Sequence, residues 1–426
     1  MDHENQDVML SAAARRRLIA GLFSISVASH CADAAVAPPP LVVADGDTYD
    51  FYVADQQTYD SNLYRLSPDL GNIATLVAPD ASRADRINTA SVGADGQWIL
   101  GRQVIDFNLH ADENRFSHND ALNNTSGYGH ALWNWQVGGY FSGQVGVNYD
   151  HALASFAETR ELGRDLTNTE RYFGTARYQV GPHWALYGGV SDLTIDHSAS
   201  QAKFNNFRLK QGDGGLEYAS NTNDTLALEY SYSGGTFPSN NTFSLNGISF
   251  TPSYHEDLAR VILKYSFSDK TQLESYAGYR RRTFTNVDIG GFSGDVWRVA
   301  LNWQPSDKTQ LVVAGWHELR AYLVTESDYF VSRGGSISPV WNATEKLNFA
   351  LVFSFERQGY VPQSTSVIGQ GPLNARVTTE QANITFSPRR AWICTLIVNH
   401  QKRDSNRLSY LFDDKLATAS VLYRIH

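Results

Sequence analysis

Arginines at alternating positions are the first residues in this chain that could do chemistry. "Gly278-Tyr279-Arg280-Arg281-Arg282" sets three guanidinium groups in one short stretch. Successive side chains of a strand point to opposite faces, so Arg280 and Arg282 share one face. Their planar, permanently charged forks suit carboxylate or phosphate groups. A second stretch, "Tyr59-Asp60-Ser61-Asn62-Leu63-Tyr64-Arg65-Leu66", sets oxygen-bearing side chains beside apolar ones. A calcium loop needs about twelve residues with regularly spaced oxygens and a turn-making glycine, and the glycine is missing. Asp196-His197-Ser198 has the residue types of a nucleophilic triad. Strand neighbours face opposite ways, however, and triads are assembled in space. The histidines are scattered without metal-like spacing. No GxSxG, HExxH, Walker or dinucleotide pattern is present. No catalytic, cofactor or metal residue is assigned, and the chemistry that remains is recognition or passage of polar groups.

The elements that would position these residues are strands. Tyr (22), Phe (21), Trp (9) and Gly (33) are abundant, which favours strands and turns over helices. The formal charge of −9 argues against a nucleic-acid binder, which needs a basic footprint. Near the N-terminus, Arg15-Arg16-Arg17 precede the apolar "LIAGLFSISVAS" and small residues suited to cleavage. The reading is a signal peptide over 1–37, a short periplasmic segment over 38–46 and one barrel domain over 47–426. Removal of the signal takes Cys31 with it and leaves Cys394, so no intramolecular disulfide forms.

From there on, period-two alternation recurs to the end. Trp297, Val299, Leu301 and Trp303 oppose Arg298, Ala300 and Asn302, and Phe141, Val145 and Tyr149 oppose Gln144, Asn148 and Asp150. Tight turns are expected at Asp95-Gly96, Gly138-Gly139, Gly181-Pro182, 222–224, 268–270, 305–308, 343–345 and 388–390. Between them lie longer polar connections over 61–84, 111–126, 150–170, 195–205, 235–253, 283–292, 322–333, 359–376 and 403–412. Short and long connections alternate, implying about 18 strands of about ten residues or more. This predicts an all-β fold, a transmembrane antiparallel up-and-down barrel with short periplasmic turns and long extracellular loops. A soluble sandwich or propeller gives no reason for that alternation of lengths. Trp98, Tyr140, Trp184, Trp303, Trp341, Trp392 and Tyr423 fall near strand ends, where interfacial girdles belong.

Parity then assigns the pore-facing side chains. They are Arg102, Asp106, Asn108, Arg171, Arg177, Glu217, Glu229, Arg260, Lys264, Glu274, Tyr276, Arg280, Arg282, Arg298, Glu356 and Arg424. An arginine on the lipid side would cost about 2–4 kcal/mol at the midplane. Strand one would leave the membrane near Tyr59, placing Asp60, Asn62 and Arg65 at the barrel mouth. Leu63, Tyr64 and Leu66 would pack the first loop there, with Arg65 paired to a carboxylate.

The stretch Tyr59–Leu66 resembles the D-[SN]-N-L-[FY]-R-L element of EpsL-type proteins, outer-membrane β-barrel proteins of exopolysaccharide-biosynthesis operons. Further similar segments follow in order: "IDFNLHADENRF", "ALWNWQVGGYFSGQVGVNYDHALASFAE", "RYFGTARYQVGPHWALYGGVSD" and "ASVLYRIH". The resemblance implies an outer-membrane protein linked to polysaccharide production or secretion. Its partners would be outer-membrane lipid, exopolysaccharide or another polar solute, and polysaccharide-export proteins; no cofactor is needed. The leading expectation is therefore a passive exopolysaccharide conduit. A general small-solute porin and a non-conducting barrel that serves the polysaccharide machinery as an assembly partner are the alternatives.

Overall fold

The computed structural model describes residues 47–425 except 71–80, 160–161, 223, 240–242, 246–247, 251–252, 286–290, 325–326 and 361–371. The expected signal peptide and periplasmic segment lie outside the described residues. The strands are β1 (Thr48–Asp60), β2 (Asp85–Leu100), β3 (Gln103–Phe116), β4 (Asn124–Val137), β5 (Phe141–Leu153) and β6 (Leu166–Val180). There follow β7 (Trp184–His197), β8 (Phe207–Ala219), β9 (Thr225–Thr236), β10 (Phe243–Leu245), β11 (Ile248–Phe250), β12 (Ser253–Ser268) and β13 (Thr271–Thr285). The last are β14 (Phe292–Ser306), β15 (Thr309–Val324), β16 (Ser327–Asn342), β17 (Leu347–Tyr360), β18 (Asn374–Arg389), β19 (Trp392–Ser405) and β20 (Phe412–Ile425). One short helix, α1 (Phe156–Thr159), sits between β5 and β6.

All but β10 and β11 form one 18-stranded sheet, and those two pair only with each other. Each strand of the sheet runs antiparallel to its neighbours, and β1 pairs with both β2 and β20, so the sheet closes on itself. The expected barrel is present. Its outer face is apolar: Val190, Leu228, Val299 and Phe353 are exposed there. The seven aromatic residues named above are all exposed and all stand at the short-turn rim. Farther from that rim, Tyr59 is exposed at the long-loop end of β1, Tyr149 in the long-loop half of β5, and Tyr172, Tyr230 and Tyr279 near mid-strand. An apolar outer band with an aromatic rim is what a bilayer selects.

Two expected connections are strand instead. Asp95-Gly96 lies inside β2, and the turn falls later, at Gly101-Arg102, where Gly101 has φ +62°. Gly96 serves packing: a Cβ there would meet the Phe107 ring at 2.7 Å. The expected loop 322–333 is mostly β15 and β16, joined through 325–326. Ser332 is buried and accepts a hydrogen bond from Trp316 Nε1 (2.8 Å), so polarity there marks a lumen-facing surface. The long and short connections thus alternate with that one exception.

The faces make a sharp prediction. Val299 faces outward, and Ala300, its neighbour on β14, faces the lumen. Val299→Arg should destabilise the barrel by about 2–4 kcal/mol. Ala300→Arg should cost much less, as read by equilibrium urea unfolding in lipid vesicles. Equal costs would refute the assigned faces.

Candidate functional site

The inner wall from β6 to β17 carries a series of ion pairs. Arg177 on β6 pairs with Glu217 on β8 (2.8 Å). Glu229 on β9 pairs with Arg260 on β12 (2.8 Å) and accepts the Tyr187 hydroxyl (3.1 Å). The Arg260 guanidinium lies 5.1 Å from the centre of the Tyr276 ring, whose hydroxyl donates to Glu318 (2.5 Å). Glu318 also meets Arg320 (3.2 Å) and Arg298 (4.0 Å), and Arg320 reaches Glu356 (3.4 Å). Toward the mouth, Glu256 takes Arg282 (2.6 Å) and Arg280 (3.5 Å). Arg171 lies against the Phe173 ring, and Lys264 stands directly opposite Glu274.

Facing this wall is a more acidic one. Asp50, Asp95, Asp106, Asp112 and Asp150 share the lumen-facing parity of β1, β2, β3 and β5. Asp106 accepts from Gln97 (2.5 Å) and Asn134 (2.9 Å), and Asn108 is next but one to it on the same face of β3. Arg424 on β20 approaches Asp50 at 3.9 Å. An acidic surface opposite an arginine-bearing one sets up a field across the lumen.

Arg102 is the exception among the assigned pore residues. It sits exposed in the β2–β3 turn and donates to the Gly138 carbonyl (2.5 Å). The turn falls later than Asp95-Gly96, so parity counted from there does not reach it. Sequence reading also passed over Glu256, Glu318, Arg320 and Arg403. Glu318 and Arg320 alternate with Trp316 on a face whose partner face carries Val313, so parity could have found them.

At the mouth, Arg65 contacts Asp60 (2.9 Å) and Asp414 (3.1 Å), both carboxylates buried. The Asn62 amide N–H donates to Asp60 (2.8 Å) and Asp414 (3.1 Å), and its side chain spans Leu66 and Asp413. Arg65 has φ +53°, a conformation most residues avoid. That turn sends Arg65 back onto Asp60, while Leu63, Tyr64 and Leu66 are buried with Phe116, Leu122 and Phe156.

Phe156 belongs to α1, in the connection between β5 and β6. This connection runs inward as a strap. Helix α1 lies against β15, and Arg403 of β19 donates to the Ala157 carbonyl (3.3 Å). Arg403 is itself held by Gln358 (3.1 Å) and the Tyr360 hydroxyl, between the rings of Tyr360 and Tyr410. The strap therefore crosses the mouth from the β5–β6 wall to the β15–β19 wall.

The strap's return is anchored by Asp165. It accepts from His197 Nδ1 (2.6 Å) and the Ala199 amide (2.9 Å), and Ser198 Oγ is at 3.5 Å. Burial pushes the Asp165 carboxyl up, but these hydrogen bonds outweigh it and hold the group below the usual carboxylate range. The triad-like Asp196-His197-Ser198 is thus no triad: His197 and Ser198 bond the same carboxylate, and it belongs to Asp165.

No family model matches the chain, and no curated protein does. Among solved structures it is similar to the outer membrane protein opdK from Pseudomonas aeruginosa, at 9% identity and TM-score 0.47, covering 89% of this chain and 99% of that one. It is also similar to Pseudomonas aeruginosa OccK2 (OpdF), at 9% and 0.48, covering 89% and 97%. Acinetobacter baumannii OccAB3 gives 11% and 0.44, covering 88% and 99%.

The tethers carry two predictions. Arg403→Ala removes a charged donor from the strap and should weaken its local stability by about 1.5–3 kcal/mol. Hydrogen exchange of 154–159 reads that loss, and bilayer recordings should show a larger unitary conductance; unchanged exchange would exclude the tether. The second concerns pH. Because the folded Asp165 carboxyl titrates below its unfolded value, its anchoring is present above about pH 3.9 and is lost only as pH falls through the lower folded value. Strap opening should therefore require strong acid in the wild type and appear at neutral pH in Asp165→Asn. Opening of the wild type near pH 6 in the same recordings would contradict the anchor.

Proposed function

We propose that this chain is a passive outer-membrane channel for small polar solutes. The observation that carries this is the strap, which narrows the mouth of an otherwise polar lumen. A closed antiparallel barrel with an apolar band and an aromatic rim fits the bacterial outer membrane. A barrel of this strand number encloses an aqueous lumen. Its paired charges give a solute weak, repeated contacts, which conduction requires, since binding must permit both entry and exit. The acidic and arginine-bearing walls would orient a dipolar solute as it passes.

The exopolysaccharide conduit implied by the EpsL-type resemblance is the finer reading, and the strap disfavours it. An extended polymer would have to thread past α1 and its Arg403 tether along its whole length.

Proteoliposome swelling separates these readings. Entry should be fast for a pentose, several-fold slower for a disaccharide and negligible for a tetrasaccharide. Equal rates for all three sugars, together with lost polymer export in a deletion strain, would favour the polymer conduit. No swelling and no conductance would mean a non-conducting barrel.

A further inference from the structure

Arg333, Arg357 and Arg376 stand directly opposite one another on the adjacent strands β16, β17 and β18. All three are exposed on the outer face of the barrel. Directly below them on that face the apolar band begins: Phe355 is next on β17, followed by Phe353 and Leu351. The row therefore stands at the edge of the bilayer on the long-loop side.

Two of the side chains converge. The guanidinium of Arg357 lies 5.7 Å from the centre of the Phe355 ring, and that of Arg376 lies 5.5 Å from the centre of the same ring. Both lean down the wall toward the membrane boundary. Arg333 donates its Nε–H to His317 (3.3 Å). Of the neighbouring carboxylates, Asp404, opposite Arg376, meets Lys402 (3.1 Å) and Glu380 meets His400 (3.6 Å), while Asp295 bonds the other nitrogen of His317 (3.3 Å) and reaches Arg333 only through that ring. Among the described residues no carboxylate lies within ion-pairing distance of the three arginines. Like charges directly opposite one another destabilise a sheet. Three such charges in a row call for an anion from outside the chain.

We propose that this row is a binding site for the phosphate group of an anionic membrane lipid. Arginine forks bind phosphate through paired charge-assisted hydrogen bonds. Basic clusters at the polar edge of a membrane protein recognise lipid head groups in this way. A phosphate held at Arg357 and Arg376 would let its acyl chains run down over Phe355, Phe353 and Leu351. The site lies outside the lumen and does not depend on what the channel carries.

Purified full-length protein in mixed micelles tests this with phosphatidic acid, phosphatidylcholine of the same acyl chains, and inorganic phosphate as probes. Native mass spectrometry should show phosphatidic acid retained over phosphatidylcholine. The R357Q/R376Q variant should lose at least about tenfold in phosphatidic acid affinity. Arg281→Gln serves as control: Arg281 is an outward arginine that directly faces Asp257, and its loss should change nothing. Heat-modified electrophoretic mobility checks that each variant is folded. Equal retention of the two lipids, or equal retention by wild type and R357Q/R376Q, would overturn the proposal. Displacement of phosphatidic acid by equimolar inorganic phosphate would overturn the lipid as ligand and leave a site for free phosphate.

Discussion

Inside hydrocarbon no water is present to satisfy a backbone N–H or C=O, so a spanning sheet must leave no edge. Seventeen of the barrel's strand pairs join barrel strands that follow one another along the chain, and the remaining one, β1 with β20, joins the first to the last. Closure therefore rests on the contact with the greatest separation along the chain, and loop-closure entropy opposes it most. The residues just beyond β1 extend that seam. Ser61 N–H donates to the Lys415 carbonyl (3.0 Å), Lys415 N–H donates to Ser61 Oγ (2.7 Å), and Thr58 and Thr418 hydroxyls meet at 3.0 Å. Arg65 then bridges Asp60 of β1 to Asp414 of β20. Removing Arg65 would leave two buried carboxylates facing each other without their shared cation, which destabilises far more than the intact set stabilises.

The lumen wall solves a second problem, that of keeping large inward side chains from filling the pore. Several inward rings lie flat over a glycine on the adjacent strand, and an arginine covers the ring. Tyr254 lies over Gly235 with Arg282 4.1 Å from its ring centre; Trp316 lies over Gly334 with Arg298 and Arg320 flanking it. Each arginine is also paired with a glutamate, so its fork is fixed by two partners rather than swinging freely. The wall charges are thereby held in place at little cost to the open cross-section, a geometry suited to weak, repeated contacts.

Period-two alternation made the strands and the inward faces legible, because one face meets lipid and the other water. Parity alone groups Arg177, Glu217, Glu229, Arg260 and Arg282 away from the apolar outer residues, and the structure pairs them on that face. Parity fails where strand ends are misplaced, as at Arg102. It also fails where a glycine is needed for ring packing, because Gly96 looks like a turn residue until Phe107 is known to lie over it. The strap was not legible. Its inward course depends on Ala157 meeting Arg403 and on Asp165 meeting His197, and no local pattern encodes contacts so distant along the chain. The triad-like Asp196-His197-Ser198 misleads for the same reason, since the carboxylate its His and Ser use comes from another loop.

The stretch from Asp60 to Leu66 ties the seam to the constriction. The left-handed turn at Arg65 divides its side chains into two sets. Polar Asp60, Asn62 and Arg65 bind the β20 end, and Leu63, Tyr64 and Leu66 are buried beside the strap. The Tyr64 ring packs 4.9 Å from Phe156 of α1, while its hydroxyl donates to Asn119 (3.0 Å) in the β3–β4 connection. Asn119 in turn donates to Asp85 at the start of β2 (2.7 Å). A barrel with an open seam would lose the support on which α1 rests. The strap is therefore seated only when the sheet is closed, so the same short stretch both completes the wall and supports α1.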